Sequence, residues 1–358
     1  MITKRLRART AHSAAESAPR AAEIIRAGGL VAFPTETVYG LGANAFDAPA
    51  VARIFEAKGR PTFDPLIVHI ADRGDLMHLF TAKARSDQRI DLLAERFWPG
   101  ALTIVAEARP EVPGLVRAGL GTVGVRLPRH ETALALIRAA GTPIAAPSAN
   151  RFGRLSPTTP EHVLQQLDGR IDAILIGEAT EIGIESSVIA LDVDGPARLL
   201  RHGGIPQEDL AHVLRDHGGL VTTPSTAHPG VPLPAPGMTE SHYAPVVPLL
   251  LATREFPAHV RDCALLAPDL DGLSRLVRLA NESGAVVHTA VALSDALDPV
   301  RAAAHLFERL HELESTLLEL NLPATHIVAA PYPAGGLGSA IADRLQRAAA
   351  RPQRGGIA

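Results

Sequence analysis

The sequence predicts an α/β protein with a second, smaller βαβ-type domain. Three observations carry that prediction. Short apolar runs alternate with helical faces over residues 20–205, a proline-dense stretch occupies 219–247, and strand–helix alternation resumes beyond it. A chain of 358 residues fits two domains. The expected organisation is an N-terminal arm (1–19), a first α/β domain (20–218), a proline-rich linker (219–247) and a small α/β domain (248–358).

In the first domain, Leu30–Phe33 is a short apolar run after Gly28-Gly29, hence a strand. Val51, Ile54 and Phe55 share one helical face, which Gly59-Arg60-Pro61 ends. Further strands are predicted at Pro65–Ile70, Leu102–Ala106, Val123–Leu127, Ala173–Gly177 and Ser187–Leu191. Ile90, Leu93, Ala94 and Phe97 form another helical face, and Leu134 with Ile137 a third. Thr158 with Glu161 reads as a capping box opening a helix with Val163, Leu164 and Leu167. The linker is semi-extended, because proline fixes φ and removes a donor. Beyond it, VPLLLA, ALLAP, AVVHT and HIVAA read as strands. Leu306, Leu310, Leu313 and Leu317 stripe a long helix, better read as core than as interface, and Ile341 with Leu345 marks a last helix.

Hydrophobic residues make up 46% and charged residues 20%, so both domains can build a core. A net charge of -3 gives no field for wholesale nucleic-acid or membrane binding. The single cysteine, Cys263, excludes a disulfide framework and any multi-cysteine zinc site, and fits a cytoplasmic protein. No apolar run reaches membrane-helix length. The basic start, with Lys4, Arg5, Arg7 and Arg9, reads as a solvated arm rather than a targeting segment.

Gly119-Leu-Gly-Thr-Val-Gly124 fits G-x-G-x-x-G, but a strand follows it where a dinucleotide site needs a helix. The fifteen histidines show no metal spacing. Four clusters do carry chemistry. Phe33–Ala45 runs from a strand through hydroxyl groups to Gly40 and Gly42: either a tight turn or a polar pocket floor. Lys58 and Arg60 sit at a helix end, either complementing its dipole or clamping phosphates; Asp64 and His69 follow. Arg126 lies inside an apolar strand, downstream of Thr122. A buried arginine needs a partner, which a ligand carboxylate or a structural acid would supply. PIAAPSAN ends in Ser148 and Asn150, where open α/β sheets hold ligands. Last come Gly183–Val188 and Leu200–Gly204, each explicable as turn chemistry.

PTETVYGLG, KGRP with DPLIVHI, WPGALTIV, VGVRLP, PIAAPSANRFG, ESSVI and LLRHG occur together in one order. That set resembles the YrdC-type threonylcarbamoyl-AMP synthases over residues 20–205. APGMTESHYAP and the tail resemble the linker and second domain of the family's long form. The resemblance implies a twisted open mixed sheet (YrdC-like) with a smaller Rossmann-like βαβ domain. It implies that L-threonine and bicarbonate form N-carboxythreonine, which ATP adenylates with loss of pyrophosphate. Thr37, His69, Arg126, Ala146 and Ser186 are then threonine-side residues, with Arg126 pairing the amino-acid carboxylate. Lys58, Arg60, Asp64, Thr122, Ser148, Asn150, Ser156 and Arg201 are ATP-side residues, and Tyr243 a lid. Lys58, Arg60, Ser148 and Asn150 form the family's signature quartet and the catalytic set. Ser186 and Ser187 are both open as the ligand contact. Mg²⁺ is expected mostly on ATP oxygens. The implied partner is a separate threonylcarbamoyl transferase complex acting on a tRNA adenosine, with at most weak direct tRNA contact.

Two rival readings follow from the same resemblance. An RNA-binding module would show a basic stripe, which a slightly acidic chain lacks. A hydrogenase-maturation carbamoyltransferase would carry zinc cysteines, which one cysteine excludes.

Overall fold

The computed structural model describes residues 2–192, 195–222, 231–239, 241–322 and 324–350. These divide into two units: residues 1–152 with 156–238, and residues 153–155 with 239–358.

The first unit is built on one mixed sheet, eleven-stranded among the described residues. In chain order its elements are β1 (Lys4–Arg7), α1 (Ala11–Arg26), β2 (Val31–Phe33), β3 (Gly40–Asn44), α2 (Ala48–Lys58) and β4 (Ile67–His69). Then come α3 (Leu76–Leu79), α4 (Ala82–Arg85), α5 (Gln88–Phe97), β5 (Leu102–Glu107), β6 (Thr122–Arg126), α6 (Glu131–Ala140) and β7 (Ile144–Ala145). The unit ends with α7 (Pro160–Leu167), β8 (Ala173–Ile176), β9 (Ser187–Ala190), β10 (Ala197–Arg201), α8 (Gln207–Leu214) and β11 (Leu220–Thr222). The strand order is β1-β8-β2-β3-β7-β4-β6-β5-β9-β10-β11, an open sheet. Parallel pairs such as β4–β6 and β5–β9 alternate with antiparallel ones such as β3–β7 and β5–β6.

Strand alternation sorts side chains into two cores. Val31, Phe33 and Leu175 pack with Ala21, Ile25, Leu136 and Ile137 of α1 and α6. Their strand neighbours Ala32 and Ile174 join Val51, Ile54, Leu93, Val163 and Leu210 in the other core.

Two expectations about this unit need correction. Residues 1–19 are not a free arm. Lys4–Arg7 pairs in parallel with β8, Leu6 is buried between exposed arginines, and Thr10 caps α1. An edge strand carrying Lys4, Arg5 and Arg7 resists pairing with other chains, which is why it reads as polar. The cap of α7 also moves by one residue: Thr159 accepts from His162 N–H, and Pro160 takes the first turn, where its missing donor costs nothing.

The proline-rich linker divides between the units. Leu220–Thr222 is β11, residues 223–230 lie outside the described residues, and Leu233, Ala235 and Met238 pack on Val105, Val188 and Leu200 of the first unit. Ser241 to Val247 belong to the second unit.

The second unit holds β12 (Leu249–Leu251), β13 (Asp262–Ala267), α9 (Leu270–Glu282), β14 (Val286–Ala292), α10 (Pro299–Leu320), β15 (His326–Ala329) and α11 (Gly338–Ala349). Its four described strands are all parallel, in the order β12-β15-β13-β14. The leucine stripe of α10 is core: Leu306, Leu310, Leu313 and Leu317 are buried.

Candidate active site

The middle of the large sheet gathers the first group of candidates. β7, β4 and β6 lie side by side, and their register sets His69 against Arg126 and Ile144. Ala146 follows β7, its N–H donating to Ile67 O at 2.9 Å. The β2–β3 turn brings in Thr35, Glu36 and Thr37, all buried. Thr35 Oγ1 donates to Val38 O at 2.7 Å and lies 2.8 Å from Thr37 Oγ1. Arg126 donates from Nη1 to Thr37 Oγ1 at 2.8 Å and from Nε to Gly100 O at 3.1 Å. Its Nη2 stands 2.8 Å from Glu36 Oε2.

The partner of Arg126 is therefore a structural acid. Of the two partners the sequence left open for this buried arginine, a structural acid is the one present. Sequence reasoning missed Glu36, which lies between two threonines in what reads as turn chemistry. Burial alone would raise the Glu36 carboxyl, but the Arg126 guanidinium outweighs it and holds the group below its ordinary value. Burial and the Arg126 charge push His69 down to about 3, so its ring is neutral near pH 7. His69 Nδ1 has no hydrogen-bond partner among the described residues.

The second group starts at the end of α2. Lys58 is the last helical residue, and Gly59 adopts the left-handed φ of 62° that redirects the chain into Arg60. Lys58 is not a dipole-complementing surface cation. It is 2% exposed, and Nζ donates to Ser148 O at 2.6 Å and to Asn150 O. Arg60 donates to Pro65 O at 2.7 Å and to Asp64 O at 3.1 Å, and its Nη2 lies 2.9 Å from Asp64 Oδ1. Asp64 is fully buried; burial raises its carboxyl against the opposing pull of Arg60, Lys58 and Arg201. Burial, then the Arg60 charge, drive Lys58 well below its ordinary value. Three cationic side chains thus act on one carboxylate.

Arg201, at the end of β10, joins this group to the strand ends beside it. It donates from Nη2 to Ser186 O at 2.9 Å and to Ser186 Oγ at 3.2 Å, and from Nη1 to Pro236 O at 2.9 Å. Ser186 Oγ lies 2.8 Å from Thr103 Oγ1. Ser187 turns the other way: its hydroxyl donates to Ile205 O at 2.6 Å and accepts from Ile205 N–H at 3.0 Å. Ser187 ties down a loop, while Ser186 stands with Thr103 and Arg201 among the other candidate groups. The loop must pass close: a Cβ on Gly203 would stand 2.3 Å from Ser186 C and 2.4 Å from Glu185 O. Ser156, fully buried, donates to Glu185 Oε1 at 2.5 Å. Glu185 and Thr103 are further polar partners that the sequence did not single out.

Thr122 begins β6 on the same face as Arg126, with Gly124 between them. Ser148 is half-buried and bridges to Gly40. Tyr243 belongs to the second unit, where it is 1% exposed, packs on Phe307 and lies under the Arg344 guanidinium. Among the described residues no group of three or more His, Cys, Asp or Glu side chains could hold a metal ion. Asp64 is engaged by Arg60, and Glu185 by Ser156.

With this geometry in place, known proteins give it a context. The Sua5/YciO/YrdC family model, described as telomere recombination, matches residues 23–203. The model of the threonylcarbamoyl-AMP synthase C-terminal domain matches residues 205–350. The chain is 41% identical over 336 residues to threonylcarbamoyl-AMP synthase of Bacillus subtilis, covering 92% of each. It is 40% identical over 329 residues to the Pyrococcus abyssi enzyme of that name, again covering 92% of each. A crystal structure of P. abyssi Sua5 complexed with L-threonine aligns over 98% of both chains, with a TM-score of 0.80 at 36% identity.

Proposed function

The chain belongs to the Sua5/YciO/YrdC family in its two-domain form, and on that premise we propose how its first unit makes threonylcarbamoyl-AMP. The protein is a threonylcarbamoyl-AMP synthase, acting in threonylcarbamoyl modification of tRNA. Threonine's amino nitrogen adds to the carbon of bicarbonate, with loss of water and a proton. A carbamate oxygen then attacks the α-phosphorus of ATP, and pyrophosphate leaves.

The observation that carries the residue roles is the split of charge within one unit. Arg126, Thr37, His69, Ala146 and Ser186 form the amino-acid side. A zwitterion finds there a cation, a carboxylate and neutral hydrogen-bonding groups. Lys58, Arg60 and Arg201 form the triphosphate side, with Asp64 as their brace and Ser148, Asn150, Ser156 and Thr122 completing it. Two arginines offer forked donors and Lys58 a point charge, the usual means of gripping phosphates. No side-chain nucleophile is required. Holding two nucleophilic steps in line and stabilising the charge on the departing pyrophosphate are what this arrangement supplies.

Mg²⁺ enters in this reading as part of the nucleotide, because the acids nearest the cations are already engaged. It would neutralise phosphate charge while most of its ligands remain ATP oxygens and water. The product passes to a separate transferase that modifies a tRNA adenosine. Because Tyr243 is a core residue of the second unit, Tyr243→Phe probes its expected nucleotide role more cleanly than Tyr243→Ala.

The test is pyrophosphate release by the purified protein, with threonine and bicarbonate each present or omitted. Release that requires both supports the reading; release that ignores either overturns it. No helix among the described residues is long and apolar enough to cross a membrane.

A further inference from the structure

We propose that Glu36 is the receptor for the amino group of the amino-acid substrate, an inference that rests on the threonine-binding reading of this site. Glu36 is 1% exposed, and its one charged partner among the described residues is Arg126, at 2.8 Å. The pair is in contact without being aligned. Arg126 and the backbone N–H groups of Arg129 and Glu36 act on the carboxylate, but neither Glu36 oxygen nor Arg126 Nη2 reaches good hydrogen-bond geometry among the described residues. The other two guanidinium nitrogens are committed, Nη1 to Thr37 and Nε to Gly100. The buried ion pair therefore keeps hydrogen-bonding capacity on both partners that the described residues fill only poorly.

Leaving such groups unpaired is costly, and native proteins avoid it except where a ligand completes the bonds. The ligand that completes these must accept from Nη2 and donate to a carboxylate over a short span. An α-amino acid does both, its carboxylate meeting Arg126 and its ammonium meeting Glu36. Charge supports the assignment. Arg126 holds Glu36 below its ordinary carboxyl value, so it is ionised near neutral pH and accepts hydrogen bonds without donating. His69, in the range of both charges, is neutral and adds no competing cation. The same carboxylate is placed to take the proton that leaves nitrogen as the N–C bond forms. In that step the ammonium loses two protons in all, one to Glu36 and one to the departing water.

The bland alternative makes Glu36 only the counter-ion that orients Arg126. The two differ in what they predict for a substrate lacking its amino group. Binding of L-threonine and of 2,3-dihydroxybutanoate, in which a hydroxyl replaces the amine, is measured by calorimetry on full-length wild type and Glu36→Gln. Loss of a charged hydrogen bond predicts threonine binding weakened at least about tenfold in Glu36→Gln. The hydroxy acid should change by less than about threefold. Glu36→Asp, which keeps the charge on a shorter arm, should fall between and serves if Glu36→Gln does not fold. Equal weakening of both ligands makes Glu36 a counter-ion only and overturns the proposal, as does unchanged threonine affinity. A wild type that binds neither ligand fails at the earlier step and removes the amino-acid reading itself.

Discussion

The two halves of the candidate site solve the burial of charge in opposite ways. On the amino-acid side one guanidinium faces one carboxylate, Arg126 with Glu36, and the local charge cancels. On the proposed phosphate side Lys58, Arg60 and Arg201 all act on Asp64, and Glu185 is bonded to Ser156 beside them. On the proposed reading the paired half suits a zwitterion and the cation-rich half a polyanion. On that reading, the charge of each half, ahead of any detail of shape, selects its ligand.

Several changes would break or sharpen this contrast. Gly203→Ala should have the largest effect, because the added Cβ meets the backbone of residues 185–187 at 2.3–2.4 Å. That backbone carries Ser186 and receives Arg201, so both halves should fail together. A cost of about 3 kcal/mol or more is expected, a melting-temperature drop of roughly 6–12 °C by differential scanning calorimetry. An unchanged melting temperature would mean that the loop does not lie where it is placed.

The adjacent serines should separate structure from binding. Ser187→Ala removes two hydrogen bonds to Ile205 and should lower stability by about 1–2 kcal/mol in urea unfolding, with the threonine KM unchanged. Ser186→Ala should raise the threonine KM by about tenfold with little loss of stability. The reverse pattern would exchange their roles.

The smallest effect concerns pH. The folded-state pKa of His69 is depressed to about 3, while an unfolded histidine titrates near ~6.5. Below ~6.5 the unfolded chain takes up a proton that the folded chain refuses, so stability is lost as pH falls from there toward 3. At pH ~5.5 this amounts to about 1 kcal/mol relative to neutral pH. Urea unfolding across that range should show a shallower pH dependence in His69→Gln than in wild type.

Much of the fold was legible because apolar strands in a sheet covered on both faces read as continuous runs. The strands ending at Phe33, His69, Arg126 and Ala190 all announced themselves in that way. β1 did not, since an edge strand of lysine and arginine resembles a solvated arm. α9 was not predicted, although Leu273, Leu276, Val277 and Ala280 have helical spacing between two strand-like runs. Arg126 was legible as a buried charge needing a partner, but which acid answers it is a tertiary fact. Glu36 meets it only because the β2–β3 turn closes over β6. Likewise nothing local separates Ser186 from Ser187; what distinguishes them in the fold is the return of the chain at Ile205, which takes up the Ser187 hydroxyl.

The account turns on the division into a zwitterion half and a polyanion half, and crossed binding tests that directly. Threonine and a non-hydrolysable ATP analogue are each titrated into wild type, Arg126→Gln and Lys58→Ala by calorimetry. The account predicts that Arg126→Gln weakens threonine by at least about tenfold and spares the nucleotide, while Lys58→Ala does the opposite. Equal losses of both ligands in both variants would contradict it.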